Sequence, residues 1–287
     1  MPMRKTVYDQ LLELQVIPDA WEEWKAYREA LVDWIIESTE ENDTALVVGA
    51  GACNDMDLTK MSKHFSHLYL LDQDEKAMEK ALKKQIKDSA LLTKIDLIQA
   101  DIVGISPEKY RIFSEKLQEM IQVYGKECDV EELAEIALAE MEHAYETRQK
   151  ADAFFRENSV DHVIACGIHS QLNSMYPWIW EAYCEVLGKR DPRVHQKASE
   201  YQNRLMPQIN DYLLKAARKR TLFALEAERI GVQGGVEGAF QGLLDLRKRQ
   251  ERGEIEVLDL ARLIWPFCRE QNVVYDMNLL VCAKTEG

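Results

Sequence analysis

Two glycines, Gly49 and Gly51, break an apolar run in TALVVGAGACND. Glycine removes the Cβ, so the backbone can turn with positive φ and approach a ligand closely. A helix following such a loop offers free amides and a positive dipole end, which suit a carboxylate or a phosphate. Asp72 ends the run HLYLLD, 21 residues after Gly51. A carboxylate in that position can accept hydrogen bonds from both hydroxyls of a ribose. Taken alone, Asp72 could equally cap the helix that starts near residue 74. Asp101 closes a third apolar run, IDLIQAD.

Further along stand candidates for chemistry on a substrate. His169, in CGIHSQL, lies just past a fourth apolar run. Imidazole titrates near neutrality and can serve as a general base, or the ring can simply pack or cap a helix. Glu226 and Glu228 end a fifth run and could meet a polar or cationic substrate, stay solvated, or pair with the arginines near 218–220. Tyr176, Trp178 and Trp180 could wall a pocket or hold a methylammonium-like group, although such a run is more often helix core. The aromatic face Trp21, Trp24 and Tyr27 either covers the site as a lid or docks on the sheet. Cys53, inside the glycine loop, could be a reactive thiol at a helix N-terminus, but reads more readily as a packing residue.

These residues need elements to hold them. Residues 7–16 form a short amphipathic helix, and Asp19 with Glu22 has the spacing of a capping box before a helix over 20–38. Short apolar runs at 45–48, 67–72 and 95–101 alternate with a charged helix at 74–88. That alternation predicts parallel strands with helices on the sheet faces. Residues 103–158 interrupt it with two long helices, one stopping at Gly125, the other opening at Asp129 and carried on by apolar residues to Phe155. This reads as an inserted helical hairpin. Strand 161–167, helices at 175–187 and 193–218, strand 220–227 and helix 241–253 follow, and ARLIWPFCRE with VVYDMNLLVCAKTE closes the chain as an antiparallel pair. The expected fold is α/β: a doubly wound, mostly parallel seven-stranded sheet with an antiparallel C-terminal strand, N-terminal helices and a helical insertion. The expected domains are an N-terminal helical cap at 1–40 and a Rossmann-like domain at 41–287 that contains the insertion at 103–158.

The net charge is −14. A nucleic-acid partner needs a basic face, and KAARKR at 215–220 is too small to reverse the field of the whole molecule. Small molecules, peptides and cationic substrates fit better. The six cysteines form no C-x-x-C pair and no zinc-ribbon spacing, so no metal is expected and the thiols read as reduced, in a cytoplasm. No signal peptide or membrane-length apolar run is read. The oligomeric state is open.

The glycine loop with Asp72 points to an adenosine-containing cofactor. A dinucleotide fingerprint would place a third glycine where Asn54 stands. S-adenosylmethionine lacks a pyrophosphate, and its amino-acid end wants polar contacts that Asn54 or Asp55 can add. VVGAGACND, LYLLDQD, LIQADI and DHVIACGIHSQL, in that order and with the closing strand pair, resemble the class I S-adenosylmethionine-dependent methyltransferases. The resemblance implies that Gly49, Ala50 and Gly51 line the methionine end of the cofactor. It implies that Asp72 holds the ribose with Gln73 beside the adenine, and that Asp101 bonds the adenine amine with Ile102 flanking the ring. It further implies that Cys166 and Gly167 line the pocket near the transferred methyl. The chain departs from the family at Val47, often acidic, and at Cys53, often glycine. The leading reading is a methyltransferase on a small molecule or peptide, with His169 as candidate base and Tyr176, Trp178 and Glu226 as candidate substrate contacts. The alternatives are an NAD-dependent oxidoreductase and a non-catalytic nucleoside-binding or interaction protein.

Overall fold

A computed structural model describes residues 5–14, 17–148 and 159–285. The chain divides into two compact units, one drawn from residues 1–18, 103–150 and 171–205, the other from 19–102, 151–170 and 206–287. The expected boundary near residue 40 falls inside the second.

The second unit holds the sheet. Its strands are β1 (Thr44–Val48), β2 (His67–Asp72), β3 (Ile95–Gln99), β4 (Val160–Cys166), β5 (Ala217–Arg229), β6 (Ile255–Cys268) and β7 (Val273–Lys284). They lie in the order β3-β2-β1-β4-β5-β7-β6, with β1 to β5 parallel and β7 antiparallel to both of its neighbours. This is the expected doubly wound sheet with its reversed last strand. Val48 is level with Leu71 on β2 and Ala165 on β4, so three strands end at one edge. The order reverses between β1 and β4, and that switch is where such sheets open a crevice at their carboxyl ends. β1 and β4 are buried on both faces, which is why they read as continuous apolar runs rather than alternating ones.

The largest departures from the sequence reading lie in the N-terminal helices and at the start of β5. The helix expected over 20–38 is split into α2 (Ala20–Glu23) and α3 (Lys25–Glu37), and Asp19 has φ 54° with no side-chain cap. β5 starts at Ala217, inside the basic run, because each basic side chain has an acidic partner. Arg218 Nε lies 2.9 Å from Asp161 Oδ1, Lys219 Nζ 2.6 Å from Asp43 Oδ2, and Arg220 Nη2 2.9 Å from Glu40 Oε1. The arginines are therefore not partners of Glu226 or Glu228. The remaining helices of this unit are α4 (Leu58–His64), α5 (Glu75–Gln85), α6 (Ser89–Leu92) and α11 (Ala239–Glu251).

The first unit is helical. It contains α1 (Val7–Leu14), α7 (Pro107–Tyr124), α8 (Val130–Glu146), α9 (Met175–Leu187) and the first part of α10 (Arg193–Ala216). α7 ends before Gly125, whose φ is 55°, and Asp129 caps α8 by accepting from Glu131 N. Phe155 and the expected end of the insertion lie outside the described residues. Tyr176 is fully buried among Tyr110, Phe113 and Tyr145, at centroid distances of 4.7, 4.8 and 6.2 Å.

Candidate functional site

The loop after β1 is held from three sides. Gly49 N and Ala50 N both donate to Leu71 O, at 2.8 and 3.1 Å, which fastens the loop to the end of β2. Gly49 has φ 72°, and a Cβ on it would stand 2.3 Å from Ile168 Cγ2 in the loop after β4. No other residue fits there, so the two loops flanking the switch point touch through this glycine. Arg28, buried on α3, donates to Trp21 O at 2.7 Å and Asn54 O at 2.8 Å, with its guanidinium 3.5 Å from the Trp21 ring centroid. Gln85 donates to Cys53 O and accepts from Leu58 N, both at 2.9 Å.

Gly51 N donates to Asp72 Oδ2 at 2.9 Å, and Asp74 N donates to Asp72 Oδ1 at 2.8 Å. The cap of α5 is Asp74, which accepts from Ala77 N at 3.0 Å. Asp72 is thus bound to the glycine loop rather than to the helix. Burial pushes its carboxyl up, against the pull of the amide bonds. Each oxygen takes one amide and keeps a lone pair. On the neighbouring strand, Ala100 N donates to Asp72 O at 3.0 Å, and Gln99 Nε2 donates to Gln73 O at 3.3 Å. Gln73 is exposed, Asp101 half-buried and Ile102 buried, at adjacent ends of β2 and β3.

The other side of the switch point is acidic and aromatic. Asp55, directly after Asn54, is pushed up to about 6 by burial, with Arg28 pulling the other way. Cys166 is buried, and burial pushes its thiol well up, helped by Asp55 and Glu226. Gly167 N donates to Ala224 O at 2.9 Å, and a Cβ on Gly167 would meet Trp265 Cζ3 at 2.9 Å. Trp265 stacks on Tyr27 with centroids 5.3 Å apart, and Trp24 meets its edge at 4.9 Å. Trp24 Nε1 also donates to Phe267 O at 3.1 Å. The aromatic face of the N-terminal helices therefore docks on the sheet. Glu226 is 1% exposed, and its Oε1 accepts from Ser170 N at 2.7 Å. Its Oε2, the Tyr27 hydroxyl and Trp265 Nε1 are buried with no hydrogen-bond partner among the described residues. Burial, then the charges of Cys166, Asp55 and Glu226, push the Tyr27 phenol well above its ordinary value, so these groups share one electrostatic neighbourhood.

The sequence-predicted residues fall into three groups. Gly49, Ala50, Gly51, Asn54, Asp72, Cys166, Gly167 and Glu226 surround the switch point, and Gln73, Asp101 and Ile102 lie beside Asp72. His169 is fully buried, with Nε2 2.9 Å from Asn210 Oδ1. Asn210 Nδ2 donates to Gly242 O and Asp245 Oδ2, both at 3.0 Å, so Oδ1 accepts and the proton sits on His169 Nε2. Burial lowers the basicity of this ring, with Glu226 opposing. Tyr176 and Trp178 belong to α9 in the helical unit, the first sealed in its core and the second 41% exposed. Sequence reasoning did not find Arg28 as the loop's anchor or Trp265 as a wall of the site. The one signal for Trp265 is a tryptophan at the end of a strand near the chain's close.

No protein-family model matches the chain, and no curated relative matches it. Solved structures do match, and they include S-adenosylmethionine-dependent methyltransferases. One, from Aquifex aeolicus, is 13% identical, with 97% of this chain and 99% of that chain covered at a TM-score of 0.43. The magnesium protoporphyrin IX methyltransferase of Synechocystis, solved with bound S-adenosylhomocysteine, is 11% identical over 98% of this chain and 89% of its own, at a TM-score of 0.44. An uncharacterized protein of Listeria monocytogenes is 12% identical over 90% of this chain and 68% of its own, at a TM-score of 0.39. Likenesses this distant carry no inference about activity, which rests on the geometry above.

Proposed function

We propose that the chain is an enzyme, an S-adenosylmethionine-dependent methyltransferase acting on a small molecule or a peptide. One observation carries the reading: Gly51 N and Asp72 Oδ2 are joined at 2.9 Å beside the switch point of the sheet. That bond joins a glycine loop to a half-buried carboxylate, both of whose oxygens keep a lone pair for a ribose, and this supports a nucleoside site there. The chemistry of the loop's far end favours this cofactor over a dinucleotide. A pyrophosphate would face the half-buried carboxyl of Asp55 and a side chain at Asn54, whereas the ammonium of a methionine would be welcome there.

In this reading Gly49, Ala50, Gly51, Asn54 and Asp55 hold the methionine end. Asp72 holds the ribose, Gln73, Asp101 and Ile102 the adenine, and Cys166 and Gly167 the region of the methyl. The bound cofactor supplies an activated methyl group on a sulfonium. The protein's work is then to align the acceptor and exclude water, and the buried ring cluster of Tyr27, Trp24 and Trp265 suits exclusion. The Nε2 proton of His169 is held by Asn210, so any proton transfer by this residue falls to its other ring nitrogen.

Asp72→Ala tests the assignment. Calorimetric titration with S-adenosylhomocysteine is expected to show a loss of about a hundred- to ten-thousandfold in affinity, the worth of two hydrogen bonds to a charged group. Unchanged affinity in a folded variant would remove Asp72 from the ribose site.

A further inference from the structure

We propose that Glu226, with the Tyr27 hydroxyl and the Trp265 ring stacked on it, receives an ammonium group, so that the substrate carries a protonated amine as a recognition group, distinct from the atom that accepts the methyl. The chemical role rests on the methyltransferase reading; the binding of a cation does not. Glu226 is 1% exposed, and among the described residues it accepts one hydrogen bond, from Ser170 N at 2.7 Å. Its Oε2 is buried without a partner, and no cation of the chain forms an ion pair with it among the described residues. Arg28, a buried cation of the same unit, is committed to Trp21 O and Asn54 O. A buried carboxylate left in that condition is costly, and a neutral donor would satisfy the lone pair while leaving the charge uncompensated. A cation answers both.

The surroundings match that occupant. The Tyr27 oxygen is a second buried acceptor without a partner among the described residues, on a ring stacked against Trp265. Trp24, Phe267 and Tyr275 complete the ring cluster, with centroids 4.9, 4.9 and 6.0 Å from Trp265. Aromatic faces attract ammonium ions, most strongly where water is excluded. The net charge of −14 draws a cation toward the molecule. Glu226 follows two residues after Ala224, the β5 residue level with Cys166 at the end of β4 and hydrogen-bonded to Gly167 N, where the methyl is proposed to arrive.

The test is a titration without cofactor. Methylammonium and benzylammonium are compared with methanol and benzyl alcohol, on the wild type, Glu226→Gln and Tyr27→Phe, with S-adenosylhomocysteine titrated in parallel and folding checked by thermal melts. The wild type is expected to prefer an ammonium ion over its neutral counterpart by about tenfold or more. Glu226→Gln is expected to abolish that preference and leave affinity for S-adenosylhomocysteine within about twofold. Tyr27→Phe is expected to reduce the preference without abolishing it, which keeps the test open if Glu226→Gln does not fold. Equal binding of cation and neutral counterpart, or a preference that survives in Glu226→Gln, would overturn the proposal. A large loss of S-adenosylhomocysteine affinity in Glu226→Gln would also overturn it, assigning the carboxylate to the cofactor's own ammonium. A Glu226-dependent cation preference in a protein that never binds S-adenosylhomocysteine would support the cation site and sink the methyltransferase reading alone.

Discussion

Asp55 is a carboxyl placed where it is uncomfortable. Burial raises it to about 6, against an ordinary value of 3.8, and the Arg28 charge offsets only part of that. Between those two values the folded protein holds a proton that the unfolded chain has released. Stability contributed by this group is therefore present below the ordinary carboxylate range and lost as pH rises through about 6. By accessible surface Asp55 is only half-buried, so its effect is smaller than the shift alone would suggest. Asp55→Asn is expected to raise the melting temperature at pH 8 and leave it nearly unchanged at pH 4, since the neutral amide mimics the protonated acid. If Asp55 faces a methionine ammonium, the same variant binds S-adenosylhomocysteine more weakly. A more stable variant with weaker binding is the signature of a strained functional group. A variant less stable at pH 8 than the wild type would show that the Asp55 charge serves the fold.

At the scale of elements, the strands at the switch point are tied at their starts as well as their ends. Asp161 Oδ2 accepts from Thr44 N at 2.9 Å and from Thr44 Oγ1 at 2.7 Å, while Asp161 N donates back to Thr44 Oγ1 at 3.0 Å. Arg218 adds the first residues of β5 to this clasp. Burial would raise the Asp161 carboxyl, but the bonds to Arg218 and Thr44 outweigh it and hold the group well below the usual carboxylate range. Its stabilising share is thus present above the ordinary value and lost as pH falls toward the lowered one. Asp161→Ala is expected to cost about 2 kcal/mol in urea denaturation at pH 7, and less at low pH. Binding of S-adenosylhomocysteine should be unaffected, because the clasp stands at the end of the strands away from the glycine loop. An equal cost at pH 7 and pH 3 would contradict the ionic part of this account.

The same clasp explains what the sequence made legible and what it did not. β1, β2 and β4 are apolar on both faces, so their runs stand out without any knowledge of neighbours. The start of β5 does not, because Arg218, Lys219 and Arg220 look like a solvated patch until their partners on distant segments are known. Asp72 was legible as a partner of the glycine loop by its spacing from the glycines, and Asp74 rather than Asp72 proved to cap α5. Trp265 against Gly167 and Tyr27 was not legible, since it depends on β6 lying at the sheet edge beyond β7. His169 was legible as a histidine past β4, but its bond to Asn210 needs α10 to be in place.

For the whole molecule, all six cysteines are free, and only Cys268 is not buried. Burial raises Cys53 and Cys166 well above the ordinary thiol value and pushes Cys282 up to about 12. The native protein is expected to react with a thiol reagent quickly at Cys268 and slowly elsewhere, and with all six after denaturation. Rapid native labelling of Cys166 would mean that the ends of β4 and β5 are open to solvent, against the buried site described above. No helix among the described residues is long and apolar enough to cross a membrane.

Calorimetric titration of the unmodified protein with S-adenosylhomocysteine, and separately with NAD, tests the central claim most directly. The geometry of Gly51, Asp72 and Asp55 predicts saturable binding of S-adenosylhomocysteine and none of NAD. Binding of NAD alone, or of neither ligand, would contradict it.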